Sequence, residues 1–205
     1  MIGAAAAPKF RRANPITMEI LLTNRHLNTL AATAALLCCL TLSQTPAFAQ
    51  ALPVPAAGTM TDFPEAHELP DPKLDYKIAF NVETMASSPD QVSPALKGIG
   101  TLINTFEKHG VSPGHMHFTA VFHGPGIALV TDDATYKGRT GVAHNPNVEI
   151  LQQLQKAGVQ MVVCGQSAMA QHYDFKTILP LAQLNYSASV TFINLMTRGY
   201  IRMNE

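Results

Sequence analysis

The sequence predicts an α/β protein, a three-layer α/β/α domain with a mainly parallel sheet of about five strands. Predicted strands and helices alternate along the chain. The strands are short segments that are apolar or alternate between apolar and polar residues, and the helices are amphipathic. This alternation favours parallel strands joined by crossover helices that cover both sheet faces. Residues 75–205 also have the length of one domain with a substantial core.

The first 49 residues resemble a secretory signal peptide. Arg25 and His26 form a short positive region, residues 27–42 are almost wholly apolar, and Ala47-Phe48-Ala49 has the small residues of a cleavage site. Met18 is an alternative true start, since a signal peptide rarely has so long a leader.

The apolar run is short for a membrane span, which needs about 20 residues. We therefore expect residues 1–49 to be removed, with no membrane attachment of the mature chain, which would be periplasmic or secreted. An uncleaved N-terminal anchor is the alternative.

Removal of residues 1–49 changes both the charge and the cysteine count. The remaining chain has 10 Lys and Arg against 13 Asp and Glu, a net charge of −3, which argues against nucleic acid as a partner. Cys38 and Cys39 leave with the signal peptide, so Cys164 remains alone. A lone cysteine makes no internal disulfide, and it is either buried and inert or free and reactive.

Residues 50–74 contain five prolines and predict a flexible or extended arm, because proline lacks the backbone donor and blocks helix. The domain proper is expected to begin near Asp75. Tyr76–Glu83 alternates as a strand does, with Ile78 and Phe80 on one side. A helix is then predicted from the Ser88 cap and Pro89 to Gly110, and its apolar stripe is Val92, Leu96, Ile99, Ile103 and Phe106.

The second half of the chain continues the alternation. His115–Phe122 predicts a strand, residues 123–126 a tight turn, and the polar residues 131–146 a loop. The remaining predictions are a short strand at Ile127–Val130, a helix from Asn147 to Gly158, a strand at Val159–Val163, a short helix at Gln166–Tyr173, a helix at Ser187–Arg198 and a last strand at Tyr200–Met203; Ala182–Tyr186 stays unassigned.

Cys164 follows a predicted strand directly, at the edge where parallel α/β sheets bind ligands. Gly165 gives the chain freedom to turn, and Gln166 opens the next helix. A thiol at a helix N-terminus has a favoured thiolate. Free cysteine is also a commonly buried residue that only fills space, so the sequence leaves a reactive and a structural Cys164 both open.

Other polar residues are expected at the same edge. His123 follows the second strand and would stabilise a thiolate or move a proton, unless it only bonds local backbone. Asn81 and Glu83 end the first strand and would line the same cleft, unless they are simply solvated. The His115-x-His117 pair has no accompanying metal motif, so we predict no metal site and no cofactor.

The chain resembles the DsrE/DsrF-like family of sulfur-relay proteins over about residues 76–204. The resemblance is carried by KIAFNVE at the first strand, VFHGPGIALV at 121–130, NPNVEILQQLQKAGVQMVVCGQSA at 145–168 and SASVTFINLMTRGYI at 187–201. It implies an α/β/α domain that assembles into a homo-oligomer, a trimer or hexamer. It also implies that Cys164 carries sulfur as a persulfide and exchanges it with a donor or acceptor protein.

Two functions of different classes follow. In the first, the protein is an exported sulfur-handling protein that uses Cys164 and His123, with Asn81, Glu83, Gly124, Gly126, Gly165 and Gln166 forming the cleft. In the second, it is a non-catalytic oligomeric binding module in which Cys164 only packs.

Overall fold

The computed structural model describes residues 51–205, so the expected signal peptide and the alternative start at Met18 lie outside the described residues. At its centre is a five-stranded sheet with the order β4-β3-β2-β1-β5, in which every neighbouring pair is parallel. This confirms the predicted fold class. The strands are β1 Tyr76–Val82, β2 Met116–Phe122, β3 Gln160–Cys164, β4 Ala182–Asn185 and β5 Ile201–Asn204.

The strand order decides which face each helix covers. The chain moves across the sheet in one direction from β1 to β4 and then returns past β1 to β5. Because parallel crossovers are right-handed, the last helix must cover the face opposite the first ones. The helices are α1 Pro94–Lys108, α2 Asp133–Thr140, α3 Val148–Lys156, α4 Gly165–Ala170 and α5 Ala188–Thr197.

Two apolar clusters, one on each face, hold the layers together. The larger contains Phe80 and Phe122 of the sheet with Leu96 of α1 and Leu151 of α3, all fully buried. The smaller joins Ala79, Val121 and Val162 of the sheet to Phe192 and Leu195 of α5. One face is therefore covered by α1 and α3 and the other by α5, and the α5 face carries the candidate site.

Three sequence predictions of local structure are wrong. The first long helix begins at Pro94, because the Ser-Pro signal occurs twice and the second copy, Ser93-Pro94, is the one used. Residues 127–130 belong to a 3-10 helix, Gly124–Val130, instead of a strand. Part of the predicted loop is α2, whose first turn is capped by the Asp132 side chain accepting from the Thr135 N–H.

The start of the proline-rich arm packs against its own domain, which the sequence did not predict. Val54 is fully buried in the larger cluster. The Asn104 side chain of α1 accepts from the Val54 N–H at 2.9 Å and donates to the carbonyls of Val54 and Gly58 at 2.8 and 2.6 Å. The arm has no regular secondary structure, yet a buried amide ties it to α1.

Within residues 51–205, no helix combines the length and the apolar character that a membrane crossing requires.

Candidate functional site

The site lies at the carboxyl edge of the sheet, on the face that α5 covers. Side chains alternate between the two faces along a strand. Cys164, the last residue of β3, therefore shares the α5 face with Val162, and His123, which follows β2, shares it with Val121. The parallel register brings these strand ends side by side.

A cleft of about 560 Å³ opens between this edge and α5. Cys164 and His123 lie at the strand ends, and the first turns of α4 and α5 supply polar walls. The remaining side of the cleft is apolar and belongs to α5. The lining residues are His123, Cys164, Gln166, Ser167, Ser187, Ala188, Ser189, Phe192, Ile193, Met196 and Arg202.

Cys164 occupies the N-cap position of α4, and its Sγ accepts a hydrogen bond from the Ser167 N–H at 3.3 Å. The residue is only 5% exposed, but the cleft reaches it. Burial raises the pKa of the thiol, whereas hydrogen bonds from the Ser167 N–H and hydroxyl and from the N–H groups of Ala188 and Gln166 lower it. The donors outweigh burial, so the pKa of Cys164 lies below its ordinary value.

These donors come from two different helices. Gln166 and Ser167 belong to the first turn of α4, and Ala188 is the first residue of α5. The α5 turn is fixed by Ser187, whose hydroxyl accepts from the Val190 N–H at 3.1 Å. A thiolate at Cys164 is thus met by N–H groups from both sides, an arrangement suited to an anionic sulfur.

His123 is held by a chain of polar side chains that leads away from the cleft. Its Nε2 lies 2.6 Å from Oδ1 of Asn81, which is almost fully buried. The Asn81 amide nitrogen donates in turn to Glu83 Oε2 at 3.4 Å. With the amide oxygen facing the ring, Nε2 carries the hydrogen, and Nδ1 of the neutral ring is left as an acceptor. Asn81 and Glu83 lie behind His123 and do not line the cleft.

The glycines shape the backbone of the site without lining the cleft. Gly124 has a positive φ of 51°, and its N–H donates to the Ser167 hydroxyl at 3.5 Å. A Cβ on Gly126 would lie 2.3 Å from the Val82 carbonyl oxygen, and one on Gly165 would lie 2.8 Å from that of Asn185. These two positions need glycine because backbone passes directly over them.

Of the sequence-predicted residues, the structure brings Cys164, His123 and Gln166 together around the cleft. Sequence reasoning missed Ser167, Ser187, Ala188 and Arg202. Ser187 carried a signal, because a serine before an apolar helical segment is a typical N-cap. Arg202 carried none, since its place depends on β5 returning to pair with β1.

Two of the other described histidines contact carboxylates at the surface. His115 Nδ1 lies 2.7 Å from Asp75, and His144 Nδ1 lies 2.8 Å from Asp133. In the described part of the chain, no group of three or more His, Cys, Asp or Glu side chains is arranged to hold a metal ion.

Comparison with known proteins bears on this arrangement. The DsrE/DsrF-like family matches residues 68–204, which includes every strand and helix of the domain and the whole cleft. The chain belongs to the DsrE/DsrF-like family. Membership associates it with sulfur relay at the level of the family.

Two further comparisons add little to this. No curated protein matches the chain. Among solved structures, the chain is similar to a protein of unknown function, MTH1491 from Methanobacterium thermoautotrophicum, at 16% identity and a TM-score of 0.45, with 64% of this chain and all of that chain covered.

Proposed function

We propose that the protein carries sulfane sulfur as a persulfide on Cys164 and passes it to a partner. The observation that carries this proposal is the placement of Cys164 Sγ at the cleft among N–H donors of two helices, which lower the pKa of the thiol. Burial alone would raise the pKa of a cysteine that only filled space, whereas here the donors lower it.

The loading step needs only a thiolate and a donor persulfide. The Cys164 thiolate attacks the outer sulfur of a donor R–S–S–H and forms a new S–S bond. The bond within the donor breaks, and the donor leaves as the thiolate R–S⁻, while Cys164 keeps the outer sulfur and its proton as Cys164–S–S–H. Electrons and atoms balance without a further oxidant.

The unloading step is favoured by the same hydrogen bonds. An acceptor thiolate attacks the outer sulfur, and Cys164 must leave as a thiolate. A leaving thiol of lower pKa leaves faster. His123 lines the cleft with a free ring nitrogen, so it takes the proton of the incoming thiol.

The test is intact mass spectrometry of the mature chain after exposure to polysulfide. We expect a mass increase of one sulfur atom in the wild type, reversed by dithiothreitol, and none in Cys164→Ser. Serine is the matched control because it preserves the N-cap of α4. A wild type that stays unmodified while its Cys164 reacts no faster than a free thiol with a neutral alkylating agent would contradict the proposal.

We also propose that the chain acts outside the cytoplasm, in the periplasm or after secretion. The support is the sequence of residues 1–49 alone. N-terminal sequencing of the purified protein from its natural host is expected to begin at Gln50. A sequence that begins at Met1 or Met18 would contradict export.

Exposed apolar side chains favour assembly with further copies, as in a trimer or hexamer, and they also support the alternative of a binding module. Val190, Ile193 and Met196 of α5 are 41%, 58% and 45% exposed. Such a group of apolar side chains on one helix is typical of an interaction surface. We expect an oligomer in sedimentation experiments and a smaller species for Ile193→Lys. A monomeric wild type would exclude this assembly.

A further inference from the structure

The cleft carries positive charge and no negatively charged side chain. Its lining residues include Arg202 but no Asp or Glu. The N–H groups that face Cys164 add partial positive charge at the other end. The cleft therefore attracts anions, although residues 50–205 as a whole have a net negative charge.

Arg202 is positioned for a ligand and is not neutralised by a neighbour. It lies on β5, opposite Ala79 of β1, on the face that α5 covers. Its guanidinium carbon lies 4.3 Å from the centroid of the Phe192 ring, which fixes the side chain against α5 at the cleft. None of the ion pairs formed among residues 51–205 involves Arg202.

We propose that Arg202 is a specificity-determining residue that selects small anionic sulfane-sulfur donors, of which thiosulfate is the simplest. The inference rests on the proposed function of Cys164 and adds the chemical class of the donor. The guanidinium binds the oxyanion end of the donor, because its planar N–H groups match such oxygens. The bound donor then lies in the cleft that Cys164 also lines.

The reaction with thiosulfate balances without a co-reactant. The Cys164 thiolate attacks the outer sulfur, and an S–S bond forms between them. The S–S bond of thiosulfate breaks, and sulfite leaves with the bonding electron pair. Cys164 is left as the persulfide anion. Negative charge grows on the sulfite oxygens as the bond breaks, so a cation there stabilises the transition state as well as the bound donor.

The experiment compares four versions of the mature protein: wild type, Arg202→Gln, Arg202→Lys and Arg198→Gln. Arg198→Gln is the matched control, since it removes the same charge from an exposed arginine near the end of α5 that does not line the cleft. Thiosulfate is added, and both the Cys164 persulfide and the released sulfite are followed over time. The same proteins are alkylated with iodoacetate and, separately, with iodoacetamide, which differ in charge but have the same leaving group.

We expect Arg202→Gln to slow persulfide formation from thiosulfate about tenfold and to lower the iodoacetate-to-iodoacetamide rate ratio about threefold, because the charge interaction is stronger for the divalent anion. Arg202→Lys should retain much of the thiosulfate rate and of the alkylation rate ratio, because lysine keeps the charge. Arg198→Gln should match the wild type in both measurements. Added salt should reduce the difference between the wild type and Arg202→Gln in both measurements. Sulfite should appear in equal amount to the persulfide.

The outcomes separate this inference from the proposed function. A wild type that accepts sulfur, with an unchanged thiosulfate rate and alkylation ratio in Arg202→Gln, would overturn the role of Arg202 and leave the persulfide function in place. A wild type that accepts no sulfur from any donor would overturn the proposed function and the donor class with it. If the wild type accepts no sulfur but Arg202→Gln still has a lower iodoacetate-to-iodoacetamide rate ratio, Arg202 binds anions without a role in sulfur transfer.

Discussion

The reactivity of Cys164 depends on a balance between two opposing effects on one sulfur atom. Burial raises the pKa of the thiol, and the donors from Ser167, Ala188 and Gln166 lower it further than burial raises it. Below the pKa of an unfolded cysteine, about 8.5, the free thiol is mostly protonated. The folded protein therefore holds more thiolate near neutral pH than a free cysteine does.

Ser167→Ala should raise the pKa of Cys164, because it removes the hydroxyl and leaves only backbone donors. The measurement is the rate of alkylation by iodoacetamide against pH. In the wild type the midpoint should lie below that of free cysteine, and in Ser167→Ala it should move upwards. Ser189→Ala, which also lines the cleft, should leave the midpoint in place. A midpoint that does not move in Ser167→Ala would show that backbone donors and burial alone decide the pKa.

The lowered pKa of Cys164 also makes the free energy of unfolding depend on pH. A group whose pKa is lowered in the folded state stabilises that state fully above its unfolded pKa, and the contribution is lost as the pH falls through the folded pKa. The free energy of unfolding of the wild type, relative to that of Cys164→Ser, should therefore increase as the pH rises towards and past the ordinary cysteine pKa.

The sequence predicted only those site residues whose position follows from the strand next to them in the chain. Cys164 and His123 follow strands directly, so strand prediction alone places them at one sheet edge. Arg202 reaches the same cleft because the chain crosses the sheet and returns, and Ala188 reaches it because β4, which the sequence left unassigned, pairs with β3. No local pattern encodes that crossing, so these residues became visible only with the structure.

At the level of elements, the turn after β2 is the tightest junction of the fold. Gly126 donates its N–H to the carbonyls of Glu83 and His123, both at 3.0 Å, and lies directly against the Val82 backbone. Because the clash partner is the backbone at the end of β1, no side-chain rotation relieves it. The position of His123 depends on this junction.

Gly126→Ala should lower the free energy of unfolding by about 1–3 kcal/mol, the usual cost of forcing an extra methyl group into a packed interior. Urea denaturation measures it. Gly138→Ala is the matched control, since Gly138 lies within α2 with open space around its Cα, and alanine there should stabilise by about 0.5–1 kcal/mol. Equal effects of the two substitutions would contradict the packing described for Gly126.

The elements that the sequence failed to predict share a lack of apolar periodicity. In α2 only Tyr136 is buried, so no apolar stripe indicates a helix, and only the Asp132 cap and the left-handed Gly141 mark its ends. The run Ile127–Val130 is apolar because it is buried on all sides, and such a run does not distinguish a strand from a helical segment. Strongly periodic elements such as β1 and α3 were predicted well.

On the scale of the whole molecule, the proline-rich segment extends the core beyond the α/β/α layers. Burying a side chain such as Val54 contributes about 1.5–3 kcal/mol. The Asn104 side chain bonds three backbone groups of Val54 and Gly58, and the buried Val54 N–H depends on it, whereas the Val54 carbonyl also accepts from the Ala57 N–H.

Asn104→Ala should lower the free energy of unfolding by about 1–3 kcal/mol, because it leaves buried backbone groups unpaired. It should also expose the arm, so that limited proteolysis cuts before residue 62 under native conditions. Gln153→Ala is the control, since it removes two exposed hydrogen bonds, one from the Ala56 N–H and one to Glu149, and should cost less than about 0.5 kcal/mol. An arm that resists protease in Asn104→Ala would show that its other contacts, such as the burial of Val54, are enough to hold it.

The pairing of β5 with β1 also sets an order of events during biosynthesis. The ribosome makes Cys164 well before it makes Ala188 and the residues of β5, and contacts between distant parts of a chain form late. Until α5 and β5 take their places, the thiol lacks the Ala188 donor and the cationic wall of Arg202. A nascent or half-folded chain therefore presents a more ordinary cysteine, and the thiol becomes activated only in the finished domain.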